Sequence, residues 1–181
     1  MGSLVIFGVP WRIDDEPRFP HRGLLIDSSR NFLPVPALLR TIEAMAMSKL
    51  NVLHWHIVDA PSFPLLLPSA PTLAQRGAYS PAHTYSPDDI HRIVSFAAER
   101  AIRVLPEIDM PGHAYSWALS HAHLIACAGA QPWEQFCAEP PCGQLDPTLD
   151  ETYELVARVL RDVARVFPDV LVHLGADEVL E

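Results

Sequence analysis

The 181-residue sequence has no apolar run near the roughly 20 residues that a helical membrane span requires, so we expect no span. It also has no basic patch, because 13 Lys and Arg residues are outnumbered by 22 Asp and Glu residues, giving a net charge of −9. We therefore expect no nucleic-acid partner. No cationic leader precedes the short apolar run near residue 5, so the sequence as written shows no export signal.

Cysteine is scarce and odd in number, with only Cys127, Cys137 and Cys142 present. Their spacing fits no zinc motif, so we expect no structural zinc site. A small loop closed by Cys137 and Cys142 and a set of three free thiols both fit the sequence, and this alternative stays open here.

Four short apolar runs organise the chain, and each is rich in Val, Ile and Leu and ends in an aspartate. They lie at residues 23–27, 51–59, 102–109 and 170–177. Such runs predict parallel strands buried on both faces. Amphipathic patterns at residues 36–49, 86–97 and 150–166 predict helices between them, and the alternation predicts a parallel sheet with covering helices. Two long loops, at 60–85 and 110–148, follow strand ends and are typical of functional segments.

The adjacent acids Asp177 and Glu178, after the last run, are the most prominent candidates for chemistry. Glycoside hydrolysis normally uses one carboxyl group on the leaving oxygen and a second at the oxocarbenium-like centre. Neighbouring strand residues point to opposite faces, so both acids enter one site only where the strand ends and turns. Gly175 and Ala176 fit such a turn. A surface acid pair is the alternative, which we disfavour because a buried strand precedes the pair.

Histidines at the second run form another candidate group. His54 and His56 share one strand face, and Asp59 follows them. Two imidazoles on one face suit a metal, but they also suit ring nitrogens that are tied to carboxylates. We favour the second interpretation and predict no metal.

Acids of the third run and an arginine of the first complete the set. Glu107 and Asp109 share a strand face, and a Pro-Gly turn directs His113 back over the strand end. Arg22, at the start of the first strand, is interpreted either as a ligand of sugar hydroxyls or as the partner of an acid.

With these motifs in place, the sequence resembles glycoside hydrolase family 20, the β-N-acetylhexosaminidases, and especially the lysosomal-type enzymes. The matching phrases keep the family's order and include FPHRGLLIDSSRNFLP, MSKLNVLHWHIVD, IRVLPEIDMPGHAYSW and FPDVLVHLGADEV. The resemblance implies an α/β fold, a (β/α)8 TIM barrel. Residues 19–181 would form its first four β/α units, truncated after strand 4, and residues 1–18 an amino-terminal lead-in.

The resemblance also implies a retaining, substrate-assisted reaction, in which the acetamido oxygen of the substrate attacks the anomeric carbon. Glu178 is then the proton donor, and Asp177 orients the acetamido group. The residues that are implied to bind the sugar or to support the acid are Arg22, Asp59, His113, His56 and Glu107. No cofactor is expected.

The implied activity is exo-acting removal of terminal N-acetylglucosamine or N-acetylgalactosamine from glycans or glycolipids. The resemblance suggests a lysosomal or extracellular location and allows for a dimeric parent enzyme. Two other functions stay open. A non-catalytic truncated fragment or pseudoenzyme is one, because the family's pocket tryptophans belong to later strands, and a metal-dependent barrel hydrolase is the other. In the lysosomal enzymes the cysteine matching Cys127 pairs with one beyond residue 181.

Overall fold

The computed structural model describes residue 5 and residues 7–179, and its centre is a parallel sheet of three strands. They are β1 (Gly23–Asp27), β2 (Val52–Val58) and β3 (Arg103–Ile108), in the spatial order β1-β2-β3. Three of the four predicted strands are confirmed to within about one residue at each end. Parallel neighbours need crossover connections, and helices supply them here.

The predicted fourth strand at residues 170–177 does not form, since only one parallel bridge, between Glu107 and His173, is present there. The backbone N–H of His173 donates to the Pro106 carbonyl at 2.9 Å, and His173 accepts from the N–H of Ile108 at 3.0 Å. Alternate residues of β3 face this segment, and Pro106 is one of them. Proline has no N–H, so the hydrogen bond that would continue the pairing toward the start of the segment is lost.

Helices cover the sheet and fill the connections. They are α1 (Val35–Met47), α2 (Pro71–Gly77), α3 (Pro87–Ala98), α4 (Tyr115–His121) and α5 (Asp150–Val166). The three predicted helices correspond to α1, α3 and α5. The start of α3 carries a capping box, because the Ser86 hydroxyl accepts from the Asp89 N–H while Asp89 accepts from the Ser86 N–H.

The two long loops are more ordered than predicted. The first contains α2, and the second contains α4, two 3-10 turns (Ala122–Leu124 and Trp133–Gln135) and a short antiparallel pair, β4 (Ile125–Ala126) and β5 (Gln144–Leu145). A disulfide joins Cys137 to Cys142, which resolves the open cysteine alternative, while Cys127 is a free, exposed thiol. Both segments therefore have fixed positions beside the carboxyl ends of the strands.

A core of large apolar side chains lies between the sheet and the helices. Its largest fully buried members are Trp55, Trp117, Tyr85, Phe63 and Phe167.

No helix within residues 7–179 is long and apolar enough to span a bilayer. Of the predicted lead-in at residues 1–18, residues 1–4 and 6 lie outside the described residues, as do residues 180 and 181 of the predicted barrel segment. Residues 7–18 are exposed and contain no helix or strand.

Candidate active site

The parallel register brings titratable residues together at the carboxyl ends of the strands. His56 of β2 pairs in register with Asp27 at the end of β1 and with Glu107 of β3. Asp59 and Asp109 follow β2 and β3 directly, and both are buried. One edge of the sheet therefore carries a dense group of acids and histidines.

Asp59 is fully buried and lies at the centre of this group. Its Oδ2 atom is 2.9 Å from both His56 Nε2 and Arg30 Nη1, and its Oδ1 atom is 3.0 Å from His113 Nδ1. The Ser116 hydroxyl donates to its backbone carbonyl at 2.7 Å. Burial would raise the pKa of Asp59, but hydrogen bonds from His113 and His56 outweigh burial and hold that pKa well below its usual range. Asp59 is therefore a fixed negative charge.

His56 lies between two carboxylates, because its Nδ1 atom is 3.2 Å from Glu107 Oε2 while its Nε2 contacts Asp59. Burial opposes its charged form, but the hydrogen bonds to Asp59 and Glu107 prevail and raise the pKa of His56 to about 10. Burial likewise would raise the pKa of Glu107, but His56 and the other nearby histidines lower it to about 2. The buried charges therefore balance one another.

His113 extends this network toward solvent. It adopts a left-handed backbone with φ of 55°, directly after the predicted Pro-Gly turn, and its side chain is only 7% exposed. Its Nε2 atom lies 3.2 Å from Glu178 Oε2. The hydrogen bond to Asp59 raises the pKa of His113 to about 9 in spite of burial. A protonated imidazole thus connects Asp59 to Glu178.

Asp177 and Glu178 both line one open cavity of about 400 Å³ at the ends of the strands. The backbone leaves the extended conformation before them, with positive φ at Gly175 (65°), Ala176 (71°) and Glu178 (53°). This turn replaces strand alternation, so neighbouring residues face the same space. The cavity is also lined by Arg30, His54, His56, Glu107, Asp109 and His113.

Asp109 belongs to the site, although sequence reasoning gave it no role beyond sharing a strand face with Glu107. Burial, reinforced by the charge of Asp177 and opposed by His113, raises the pKa of Asp109 to about 6. Its Oδ1 atom accepts a long hydrogen bond of 3.4 Å from the Ala176 N–H. Asp109 therefore contacts the turn that carries the acid pair. Its position directly after a buried strand was the available signal.

The structure does not bring Arg22 to this cavity. Arg22 lies at the opposite end of β1, and its guanidinium donates to the backbone carbonyls of Lys49 and Phe19 at 2.6 Å each. Arg30, which sequence reasoning missed, lines the cavity and contacts Asp27 Oδ2 at 2.8 Å through Nη1. The two arginines flank the same strand, and the signal for Arg30 was its place at the carboxyl end.

Side chains that could ligate a metal are also present. The ligand atoms of His54, Glu107 and His173 lie within 4.8 Å of one another. Their ring nitrogens already have carboxylate partners, because His54 Nε2 and His173 Nδ1 lie 2.5 Å and 3.1 Å from Glu107 oxygens. This geometry resembles the carboxylate-tied alternative more closely than a preformed metal site.

The chain is thus an α/β protein. Its candidate site lies at the carboxyl ends of parallel strands, where buried acids and histidines surround a cavity lined by an exposed Asp-Glu pair. Residues 19–181 match the description "Glycosyl hydrolase family 20, catalytic domain". The chain belongs to this family.

Named relatives agree with the family. The chain is 46% identical to the chitooligosaccharidolytic β-N-acetylglucosaminidase of Bombyx mori over 171 residues, covering 93% of this chain and 28% of that protein. It is 46% identical to the human β-hexosaminidase subunit β over 169 residues, covering 92% of this chain and 29% of the subunit. The chain therefore spans less than a third of the length of these relatives.

Solved structures share the fold. The exo-β-N-acetylglucosaminidase of Vibrio harveyi, solved in complex with N-acetylglucosamine, superimposes with a TM-score of 0.80 at 32% identity. The match covers 91% of this chain and 28% of that one. The Streptomyces coelicolor β-N-acetylhexosaminidase gives a TM-score of 0.76 at 33% identity, covering 89% and 33% of the two chains. The α/β fold of the chain is thus that of family 20 enzymes.

Proposed function

We propose that the protein containing this chain is an exo-acting, retaining β-N-acetylhexosaminidase, which removes terminal N-acetylglucosamine or N-acetylgalactosamine from glycans or glycolipids. The observation that carries the proposal is the placement of Asp177 and Glu178 in one cavity, with Oε2 of Glu178 3.2 Å from Nε2 of His113. Family membership and the names of the relatives support the same activity.

The proposed chemistry divides between the two acids. Glu178 donates a proton to the leaving oxygen and later removes one from water, which is general acid–base catalysis. Asp177 orients the acetamido group, whose oxygen attacks the anomeric carbon. No enzyme carboxylate is therefore needed as a nucleophile on the opposite face of the sugar ring. This explains how two sequence neighbours serve one reaction. The substrate itself supplies the nucleophile.

Arg30, rather than Arg22, is the proposed ligand of the sugar hydroxyls. A guanidinium fork can donate two hydrogen bonds to adjacent hydroxyl oxygens. Arg30 lies at the cavity with its Nη1 atom held between Asp27 and Asp59, whereas Arg22 lies about 16 Å away by the length of β1. The support residues Asp59, His113, His56 and Glu107 keep their proposed role, and they act by fixing charges around Arg30 and Glu178.

The proposed architecture is the first part of a (β/α)8 barrel. The three parallel strands, the bridged segment at His173 and the position of the acids at strand carboxyl ends agree with that barrel. Dimerisation of the whole protein is part of the proposal only as an expectation from the family. The interpretation as a non-catalytic fragment makes the opposite prediction about activity.

The test is release of a chromophore from an aryl N-acetyl-β-glucosaminide by protein expressed from its complete coding sequence. We expect activity in the wild type and a loss of about 10³-fold in kcat for Glu178→Gln, because the variant retains size but cannot transfer the proton. Glu154→Gln, on an exposed residue of α5 away from the cavity, is the matched control. Wild-type protein that is folded yet inactive on both the glucosaminide and the galactosaminide would establish the non-catalytic alternative.

A further inference from the structure

Glu139 reaches the site from a segment far away in sequence. Its Oε1 atom lies 2.5 Å from Nη2 of Arg30, across 109 residues of sequence, and 4.0 Å from Nδ1 of His113. Its side chain is 47% exposed. Glu139 lines both the large cavity and the smaller one beside it, which also touches Glu178. It therefore lies at the boundary between the acid pair and solvent.

The loop that carries Glu139 is held by a covalent bond. Glu139 lies between Cys137 and Cys142, whose disulfide closes a short loop that also contains two prolines. The Gly129 N–H donates to the Cys142 carbonyl at 2.9 Å, which attaches the loop to the segment around β4 and β5. Cross-links and prolines both reduce the number of conformations open to a loop. An otherwise irregular segment can thus present one carboxylate at a fixed place.

The three carboxylates around Arg30 differ in what they can do. Asp59 is fully buried and shared with two histidines, and Asp27 also accepts from the backbone N–H groups of Ser29 and Arg30. Both contact Nη1 of Arg30. Glu139 is the partner of Nη2, and it is more exposed than the other two. It consequently sets the direction of the outer half of the guanidinium fork.

We infer that Glu139, placed by the Cys137–Cys142 disulfide, is a positioning residue that fixes Arg30 for sugar binding. This inference rests on the proposed function and adds to it a residue outside the strand ends. Glu139 acts through Arg30 and not on the reacting atoms, so its removal weakens substrate binding and leaves the proton transfer by Glu178 intact. The loop thereby couples the shape of an external segment to recognition of the terminal sugar.

The test compares Glu139→Ala, Glu139→Gln and the double variant Cys137→Ser with Cys142→Ser, in protein from the complete coding sequence. We expect KM for the aryl glycoside to rise about tenfold in Glu139→Ala with kcat within about twofold of the wild type, since a charge-assisted hydrogen bond is lost. Glu139→Gln should recover part of the loss, because its amide oxygen still accepts from Arg30. The double cysteine variant should raise KM in the same direction. Glu134→Gln, exposed in the same segment, is the control and retains the wild-type KM.

A crystal structure of Glu139→Ala decides the inference without activity. We expect the Nη2 end of the Arg30 guanidinium to have moved, while Nη1 stays beside Asp27 and Asp59. An unchanged KM, or an unchanged Arg30, in a variant with wild-type thermal stability overturns the inference. If the wild type lacks hexosaminidase activity, the proposed function fails, and the position of Arg30 alone then decides the role of Glu139.

Discussion

His113 joins two acids of different exposure, since its Nδ1 atom lies 3.0 Å from Oδ1 of Asp59 and its Nε2 atom 3.2 Å from Oε2 of Glu178. Asp59 is fully buried, whereas Glu178 faces the cavity. The imidazole therefore carries the influence of a fixed interior charge to the acid that is proposed to transfer the proton. Its backbone is left-handed, with φ of 55°, and the contacts of the ring with Asp59 and Glu178 offset the strain of that conformation.

Replacing His113 should lower turnover more than binding. In His113→Gln the amide can contact only one of the two acids well, so Glu178 loses its orienting partner. We expect kcat on an aryl N-acetyl-β-glucosaminide to fall by about 10²-fold while KM changes little. His123→Gln, on an exposed residue that contacts Glu151, is the control and should retain wild-type kcat. A rise in KM with an unchanged kcat would place His113 outside the acid–base step.

Stability should decrease as pH rises through the alkaline range. The folded-state pKa values of His113 and His56 are about 9 and about 10, above the value near 6.5 for an unfolded histidine. The folded state thus binds more protons in that window. Its stabilisation is complete below about pH 6.5 and is lost as pH rises through about 9 to 10.

The measurement is the free energy of unfolding in urea across this range. We expect it to fall with pH in the wild type and to fall less steeply in His113→Gln, in which one of the two groups is absent. His91→Gln, on an exposed position of α3, should keep the wild-type slope. A free energy that is flat or rises between about pH 6.5 and about pH 10 would contradict the ion pairs of Asp59 and Glu107 with their histidines.

Much of this arrangement follows from sequence patterns, and the failures have physical causes. Apolar side chains at both odd and even positions predicted three strands that are buried on both faces. The strands form, and β2 is buried on both faces, but β1 is not, because Leu24 and Leu25 are 37% and 53% exposed. The same rule gave a fourth strand, which failed because Pro106 removes a donor on the edge where it would pair.

The choice of arginine depended on which end of a strand faces the site. Arg22 precedes β1 and Arg30 follows it. Both therefore lie next to the same apolar run, and the sequence pattern does not distinguish them. Tertiary contacts distinguish the two, since the guanidinium of Arg22 already donates to the backbone carbonyls of Lys49 and Phe19. The sequence did not indicate Glu139 for a related reason. Its contact with Arg30 joins residues 109 positions apart and depends on how the loop folds.

Glycine at position 175 should be irreplaceable because of Asp109. A Cβ atom there would lie 1.9 Å from Asp109 Oδ1, and Asp109 is buried and cannot easily move. Gly129 is a matched control, since its φ of 67° is close to the 65° of Gly175 while its added Cβ would meet only Tyr115, at 3.7 Å. Both alanine variants carry the left-handed penalty of about 1–2 kcal/mol.

The clash is therefore the difference between the two variants. We expect Gly175→Ala to lose about 2 kcal/mol more free energy of unfolding in urea than Gly129→Ala. It should also lose most hexosaminidase activity, because moving Asp109 releases its contact with the Ala176 N–H and shifts the turn before Glu178. Gly129→Ala should remain active. Equal stability losses in the two variants would show that Asp109 does not hold the turn against Gly175.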